Sequence, residues 1–217
     1  YLPALPEVAQ DLATTEARAA LTLTSYFIAF GIAQMLYGPM ADAVGRKIPL
    51  VLGVSIFLVA TVAASMAPSI QWLIAARAVQ GFGAATLMAV PRAVIRDMAT
   101  GPEAARMMAA IMIVISVSPM LAPLTGSVVM AMGGWREIFA VLAGAGLISL
   151  LLIIFVLPET LAREHRQPVR LDAMIRGARR LLTDRRFMGL TMIGGFGMAS
   201  FFVFLASASF VYTRQYG

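Results

Sequence analysis

One charged side chain inside a long apolar run is the first feature of the sequence that could do chemistry. Arg77 lies in the run Trp72–Ile95, WLIAARAVQGFGAATLMAVPRAVI, which is long enough to cross a bilayer. A charge at the middle of a membrane helix costs about 2.5–3.5 kcal/mol, so we expect Arg77 to face a water-filled cavity or a buried partner. The alternative is that its side chain snorkels to the nearer headgroups.

Polar and small residues follow Arg77 at helical spacing. Gln80 lies one turn further on, on the same face of the predicted helix. Gly81 and Gly83 come next, and small residues let a neighbouring helix approach closely. We therefore predict that Arg77 and Gln80 form a polar pair beside a tight helix crossing. Such a pair inside the membrane is typical of a substrate or ion pathway.

The composition shows what kind of protein must position these residues. Of the 217 residues, 60% are hydrophobic and 13% are charged, and the mean hydropathy is +0.84. These values lie far from those of soluble domains, so we predict an all-α, multi-pass membrane protein. Tyr1–Asp11 is interpreted as the outer end of an earlier helix. The complete predicted spans are Thr22–Met40, Ile48–Met66, Trp72–Ile95, Met107–Met132, Ile138–Leu157 and Phe187–Tyr212.

The basic residues predict the orientation of the spans. They are concentrated in alternate links, which marks those links as cytoplasmic. The basic residues of the cytoplasmic links are Arg46 and Lys47, then Arg92, Arg96 and Arg106, then those of the stretch Arg163–Arg186. Opposite links carry only Arg18 and Arg136. Topology therefore explains the net charge of +6, and we predict no nucleic-acid partner.

The chain lacks the residues of most catalytic and metal sites. It has no cysteine, which excludes thiol catalysis and cysteine-ligated metals. The single histidine, His165, lies in a charged loop and cannot build a metal site alone. Ser116, Ser118 and Thr125 have no histidine or lysine base at membrane depth. We therefore predict no cofactor, no metal and no enzymatic activity.

The long link Glu159–Arg186 shows a helical pattern of its own. Its apolar residues repeat at helical spacing at Leu171, Met174, Ile175, Ala178, Leu181 and Leu182. We predict an amphipathic helix, which either docks on anionic headgroups or joins two halves as a solvated helix. Either way, the link marks a domain boundary. We predict an N-terminal half at residues 1–158, a linker at residues 159–186 and the first helix of a second half at residues 187–217.

The loop between the first two complete spans carries a recognisable pattern, GPMADAVGRKIPL. Gly38 and Gly45 permit a tight reversal, Asp42 is its single acid, and Arg46 and Lys47 hold it on the cytoplasmic side. The pattern resembles the G-x-x-x-D-x-x-G-R-K signature between the second and third helices of major facilitator superfamily transporters. The alternative is a turn that only sets the membrane topology. It would explain the basic pair but not the two glycines and the acid at this spacing. The resemblance implies a bundle of two six-helix halves in which these five residues form a gating loop at the cytoplasmic seam.

The Arg77 region also resembles this superfamily. Arg77-x-x-Gln80-Gly81 is similar to the R-x-x-Q-G motif in the fourth helix of proton-coupled drug exporters. The resemblance implies that the arginine lines the transport cavity and takes part in proton exchange.

The predicted span Met107–Met132, which contains SPMLAPLTGS, carries a third motif. Pro119 and Pro123 each remove a helical donor and should bend the helix, while Gly126 lets another helix pack on the bend. The stretch resembles the proline-glycine motif of antiporters, with the spacing of the bicyclomycin/chloramphenicol-resistance (Bcr/CflA) branch. Other stretches similar to that branch are YLPALP at the start of the chain, Gly134-Trp135-Arg136, Pro158-Glu159-Thr160 and the late FFVFLASASFVY.

The sequence departs from that branch at a position that matters for proton coupling. The branch carries an acid in its first helix, and the matching position falls just before Tyr1. Glu7 and Asp11 lie in the predicted outer loop and are poor substitutes. Most of the second half is also missing, and the substrate path of such transporters lies between two halves. We therefore expect the chain to be inactive by itself and its parent protein to transport.

Several side chains are candidates for lining that path. Methionine suits an adaptable apolar wall because it repacks around varied ligands, although ordinary packing is the alternative role for each one. The predicted lining residues are Tyr26, Gln34, Arg77, Gln80, Met112 and Met120, with Met88, Phe201 and Phe204 as further apolar candidates.

The sequence hypothesis is the N-terminal half, linker and seventh helix of a proton-driven exporter of small amphipathic compounds in the inner membrane. Its predicted partners are a small-molecule substrate, protons, the lipid bilayer and the missing C-terminal half. An importer or facilitator of a small metabolite is the alternative, because the cytoplasmic signature is shared across the superfamily. A membrane scaffold or sensor is the alternative from another class.

Overall fold

This computed structural model describes residues 1–169 and 171–215, without the side chains of 171, 173, 201, 202 and 204–215, and the regular secondary structure there is helical. No strand occurs in those ranges, which confirms the predicted all-α fold. The helices are α1 (Leu5–Asp11), α2 (Glu16–Val44), α3 (Lys47–Ser65), α4 (Ile70–Ala84), α5 (Thr86–Met98), α6 (Gly101–Gly133), α7 (Trp135–Phe155), α8 (Leu171–Thr183) and α9 (Arg185–Gln215).

Five helical segments of the described chain are long and apolar enough to cross a membrane. They correspond to the first five predicted spans, and the third consists of α4 and α5 joined at Ala85. The sixth predicted span, Phe187–Tyr212, falls inside α9, which is not among the five. Its place in the membrane stays a prediction.

Short local signals set the helix boundaries. The hydroxyl groups of Thr15 and Ser69 each accept a hydrogen bond at 3.3 Å from a backbone N–H in the first turn of α2 and α4. Gly45 and Gly134 end α2 and α6 with φ values of +103° and +86°. Glycine adopts this conformation without steric cost, so both reversals depend on it.

Helix α4 packs against both α2 and α3. At Gly81 it contacts the backbone of Tyr26 in α2, and at Gly83 it contacts the backbone of Gly53 and Phe57 in α3. A Cβ atom added at either position would overlap those backbone atoms. The buried apolar cluster beside these crossings contains Ala33, Tyr37, Ala41, Leu50, Ala85, Val90 and Val94.

Helix α6 is exposed along most of its length. Gly126 is its one buried residue, and Met120 on the same helix is 78% exposed. The helix continues through Pro119 and Pro123 without interruption, so the predicted bend stays a prediction. An exposed apolar surface of this kind suits a helix in contact with lipid or with another apolar helix.

The chain divides into two compact units, with the boundary between Pro168 and Val169. In the second unit, the carboxylate of Asp184 accepts hydrogen bonds from the N–H groups of Arg186 at 2.9 Å and Phe187 at 3.3 Å, which caps α9. Helix α8 covers the segment where the sequence shows an amphipathic pattern. Its docking on headgroups and the domain limits at 158 and 186 stay predictions.

The helix crossing at Gly83 leads to a stability prediction. We expect Gly83→Ala to destabilise the full-length parent protein by about 1–3 kcal/mol, because the new Cβ must displace backbone in α3. This loss should exceed the gain in helix propensity from alanine. The measurement is the midpoint of thermal unfolding in detergent.

Gly31→Ala in α2 is the matched control, since no atom lies within 4 Å of its added Cβ. Its midpoint should stay constant or rise. Equal midpoints for the two variants would contradict the close crossing of α3 and α4.

Candidate functional site

Arg77 lies inside the first unit, with 6% of its surface exposed. The guanidinium carbon Cζ lies 4.3 Å from the centre of the Tyr26 ring, 4.8 Å from that of Tyr1 and 6.0 Å from that of Phe139. Aromatic faces attract a cation, and this attraction strengthens where water is excluded. Because the side chain is buried among these rings, the snorkelling alternative does not describe this structure.

A chain of hydrogen bonds connects Arg77 to α3. Arg77 Nη1 donates to Gln80 Oε1, and Gln80 Nε2 donates to Thr61 Oγ1 at 2.7 Å. The Thr61 hydroxyl in turn donates to the carbonyl oxygen of Phe57 at 2.6 Å. Gln80 and Thr61 are fully buried. Sequence reasoning paired Arg77 with Gln80 but missed Thr61, whose one signal is its rarity as a polar residue in an apolar helix.

The charge of Arg77 has no ion-pair partner in the described part of the chain. Its Nε atom is buried and has no hydrogen-bond partner there either. A buried cation is costly unless an opposite charge or hydrogen-bond acceptors compensate it. The site therefore offers one positive charge and one unused donor, a combination that suits an anionic or acceptor group.

The other predicted lining residues do not all join this site. Tyr26 does, through its ring. Gln34 is exposed on α2, about 12 Å along the helix axis from Tyr26. Met112 and Met120 are exposed on α6, at 43% and 78%, so the structure does not bring them to Arg77. The side chains of Phe201 and Phe204 lie outside the described residues, and Met88 lines a separate groove between α5 and α6.

A second polar cluster lies at the link between α2 and α3, around the predicted gating loop. Arg46 is 5% exposed and forms ion pairs with Asp42 at 2.6 Å and with Asp97 at 2.7 Å. Asp97 lies in the last turn of α5, so these pairs connect the loop to that helix. The predicted part of Gly38 in the reversal is corrected, because Gly38 lies within α2 and the helix ends at Gly45; an added Cβ at Gly38 would meet no atom within 4 Å. Sequence reasoning missed Asp97, whose signal was an acid next to Arg96 in a basic link.

Glu159, in the link that follows the end of α7 at Phe155, holds the same loop. Its Oε1 accepts a hydrogen bond from the Arg46 N–H at 2.8 Å, and its Oε2 accepts one from the Lys47 N–H at 3.2 Å. The carboxylate thus occupies the N-terminus of α3, where a negative charge is stabilised. An added Cβ at Gly45 would overlap it. Lys47 Nζ donates to the carbonyl oxygen of Ile154 at 2.7 Å.

The hydrogen bonds to Glu159 lower the pKa of its carboxyl group. Partial burial acts to raise the pKa of Glu159, but the N–H groups of Arg46, Leu161 and Lys47, together with the charge of Arg166, outweigh it. The result is a pKa below the ordinary value of a glutamate. The carboxylate is therefore charged at neutral pH, as a helix N-terminus favours.

Asp11 and Glu7 contact the start of α7. Asp11 Oδ2 accepts hydrogen bonds from Arg136 Nη1 and, at 3.0 Å, from Trp135 Nε1. These two bonds lower the pKa of Asp11. Glu7 Oε1 accepts a bond from the Trp135 N–H at 3.4 Å, and Arg136 also donates to the carbonyl oxygen of Ala67. Both acids are thus engaged in holding the start of α7.

Gly126, of the predicted bend motif, lies next to Tyr1, whose backbone nitrogen is 3.8 Å from an added Cβ. Across residues 1–169 and 171–215, no group of three or more histidine, aspartate or glutamate side chains is arranged to hold a metal ion.

Comparison with known proteins relates this chain to transporters. The family model described as Major Facilitator Superfamily matches residues 1–217. The chain is 36% identical to the uncharacterized MFS-type transporter YdgK of Bacillus subtilis and 30% identical to a bicyclomycin resistance protein homolog of Haemophilus influenzae. Both alignments cover 100% of this chain and 54% of the relative, so the chain spans about half the length of these curated relatives.

Among solved structures, the chain resembles the human organic anion transporter MFSD10. The TM-score is 0.67 over 99% of this chain and 56% of that chain, at 18% sequence identity. At this identity the likeness shows the fold alone.

The geometry of Glu159 leads to a prediction of pH-dependent stability. A carboxylate whose pKa is lowered in the folded state stabilises it above the ordinary value of 4.5 and loses that contribution as the pH falls through the folded-state pKa. We expect Glu159→Gln to lower the stability of the full-length parent at pH 7 by about 0.5–2 kcal/mol. The difference from wild type should shrink as the pH is lowered below about 4.

Thermal unfolding in detergent across this pH range measures the effect. Glu164→Gln, at a nearby exposed glutamate, is the matched control and should leave the profile unchanged. A constant difference between Glu159→Gln and wild type at every pH would show that the negative charge of Glu159 is not what stabilises the loop.

Proposed function

Because the chain belongs to the Major Facilitator Superfamily, we propose that its parent protein exports small amphipathic compounds or drugs across the inner membrane in exchange for protons. The family predicted from the sequence motifs is thereby confirmed. A relative named for bicyclomycin resistance agrees with the predicted branch. The single observation that carries the proposal is the buried Arg77 guanidinium, which has no ion-pair partner in the described residues.

The proposed role of Arg77 follows from its surroundings. Its aromatic neighbours and Gln80 hold the guanidinium in place, while its unused Nε donor and its charge favour a group with negative or acceptor character. A substrate and a deprotonated acid can compete for such a cation. This competition is the simplest way to couple compound and proton, since only one of the two occupies the site at a time.

The cluster around Arg46 is the proposed cytoplasmic gate. Its ion pairs with Asp42 and Asp97 and the cap from Glu159 join three segments of this half. The Asp42 side chain is 56% exposed, so it remains accessible to another helix. In an alternating-access cycle, that accessible acid would contact the second half in one conformation and separate from it in the other.

The second half of the parent protein is a further proposed partner. The exposed face of α6, which carries Val117, Met120 and Leu124, is the surface proposed to meet it, with the substrate path between the two halves. The chain described here would then bind the bilayer and fold as one half without transporting.

An efflux assay on the full-length parent tests the role of Arg77. A hydrogen bond to a charged group contributes about 1.5–3 kcal/mol, so we expect Arg77→Ala to reduce proton-coupled efflux about tenfold or more. Arg18→Ala, which removes an exposed arginine of α2, is the control and should keep wild-type efflux. Wild-type efflux by Arg77→Ala at normal expression would contradict the assigned role.

A pH measurement in membrane vesicles distinguishes exchange from facilitation. With an imposed pH gradient, addition of a transported compound should collapse the gradient in vesicles with the wild-type parent and leave it unchanged in vesicles with Arg77→Ala. Compound flux without any change in pH would instead support a facilitator of small metabolites. A fluorescent pH indicator inside the vesicles provides the readout.

A further inference from the structure

Thr61 of α3 carries a buried hydroxyl group that has no role in the proposed function as stated. None of its surface is exposed, and the same is true of Gln80, its partner across the crossing of α3 and α4. Buried polar groups are almost always hydrogen-bonded, because an unpaired one is costly. Neither side chain can turn to bulk solvent for another partner, so each depends on the other.

The hydroxyl group of Thr61 can only accept a hydrogen bond from Gln80. A threonine has one hydroxyl hydrogen and two lone pairs. Thr61 uses the hydrogen within its own helix, where it donates to the carbonyl oxygen of Phe57, four positions earlier, at 2.6 Å. Its lone pairs remain for Gln80, whose Nε2 donates to Thr61 Oγ1 at 2.7 Å.

This bond fixes which end of the Gln80 amide faces Arg77. Because Nε2 points to Thr61, the amide oxygen Oε1 points to the guanidinium and accepts a bond from Arg77 Nη1. A guanidinium can only donate hydrogen bonds. If the amide turned around, two donors would meet at Arg77, and two acceptors would meet at Thr61 as long as its hydroxyl keeps the bond to Phe57. Thr61 thus sets the direction of the hydrogen bonds that end at the buried charge.

The close crossing of α3 and α4 brings Thr61 within reach of Gln80. A Cβ atom added at Gly83, three residues after Gln80, would lie 2.4 Å from the backbone nitrogen of Phe57, four residues before Thr61. The backbone contact and the side-chain hydrogen bond therefore lie on successive turns of both helices. Since the backbones touch at one turn, the position of the hydroxyl group at the next turn is well defined.

We propose that Thr61 is a positioning residue for proton-coupled efflux, which holds the Gln80 amide so that its oxygen stays on the Arg77 guanidinium. It acts through Gln80 and leaves Arg77 Nε and the positive charge available. The inference rests on the proposed function, in which a compound and an acid compete for Arg77. The alternative is that the bond between Thr61 and Gln80 only stabilises the helix crossing.

Efflux by the full-length parent tests the inference, with every rate divided by the amount of folded transporter. Thr61→Val keeps the branched shape of the side chain but removes the acceptor. The net contribution of one neutral hydrogen bond corresponds to a factor of about three to ten, so efflux should fall by about that factor. Thr61→Ser retains the hydroxyl group and should recover most of the efflux. Thr61→Ala removes the same acceptor and provides a second variant if Thr61→Val does not fold.

A double-mutant cycle shows whether Thr61 acts through Gln80. In a Gln80→Leu background the amide is absent, so Thr61→Val should cause no further loss of efflux. A threonine that only stabilised the crossing would lower the thermal unfolding midpoint and leave the efflux of the folded transporter unchanged.

Thr183→Val is the matched control. The exposed Thr183 of α8 also donates its hydroxyl hydrogen to the carbonyl oxygen four positions earlier, that of Arg179, at 2.8 Å. The substitution therefore removes the same kind of bond within a helix without affecting Gln80. It should keep wild-type efflux.

Loss of efflux in Thr61→Val, recovery in Thr61→Ser and no further loss in the Gln80→Leu background would together support the inference. Wild-type efflux by folded Thr61→Val, or an equal loss with and without Gln80, would overturn it. Arg77→Ala, measured in parallel, distinguishes this failure from that of the proposed function. If Arg77→Ala loses efflux, the role of Thr61 alone is wrong. Wild-type efflux by Arg77→Ala would overturn the proposed role of Arg77 and, with it, the role of Thr61.

Discussion

The burial of one guanidinium inside a membrane-spanning bundle is the constraint on which the rest of this structure depends. Removing a charged group from water costs several kcal/mol, and a stable fold must compensate for it with nearby groups. Around Arg77, aromatic faces and the Gln80 amide provide that compensation. These groups reach Arg77 because α4 approaches α2 and α3 at backbone distance through Gly81 and Gly83. The two glycines are therefore part of the site through the close helix approach that they allow.

A second buried guanidinium, Arg46, is stabilised in the opposite manner. Two carboxylates, from Asp42 and Asp97, neutralise it, and the carboxylate of Glu159 accepts its backbone N–H. Charge pairs with good geometry hold separate segments together, and the Arg46 guanidinium has both of its carboxylate partners within this half. The neutralised arginine therefore fastens the end of the bundle, whereas Arg77 keeps a free charge and an unused donor. This difference in pairing separates a structural cation from one suited to binding.

Local features of the chain were predictable from residue order. The five membrane-length segments follow from runs of apolar residues, and the contact of Arg77 with Gln80 follows from helical spacing. The glycine at the α2–α3 reversal followed from the need for a conformation that other residues rarely adopt. Partners from distant parts of the chain were not predictable. Thr61 is 19 positions from Gln80, and Glu159 is 113 positions from Arg46.

The sequence by itself determined that this protein is a helical membrane protein with a charge inside the span Trp72–Ile95, and its motifs resembled those of a transporter family. It did so because hydrophobic runs, helical periodicity and the cost of a buried charge depend on residues close together in the chain. Only the tertiary structure decided which groups compensate each charge. Arg77 and Arg46 have the same side chain, and their different partners come from helices that meet in space through packing, which residue spacing does not encode.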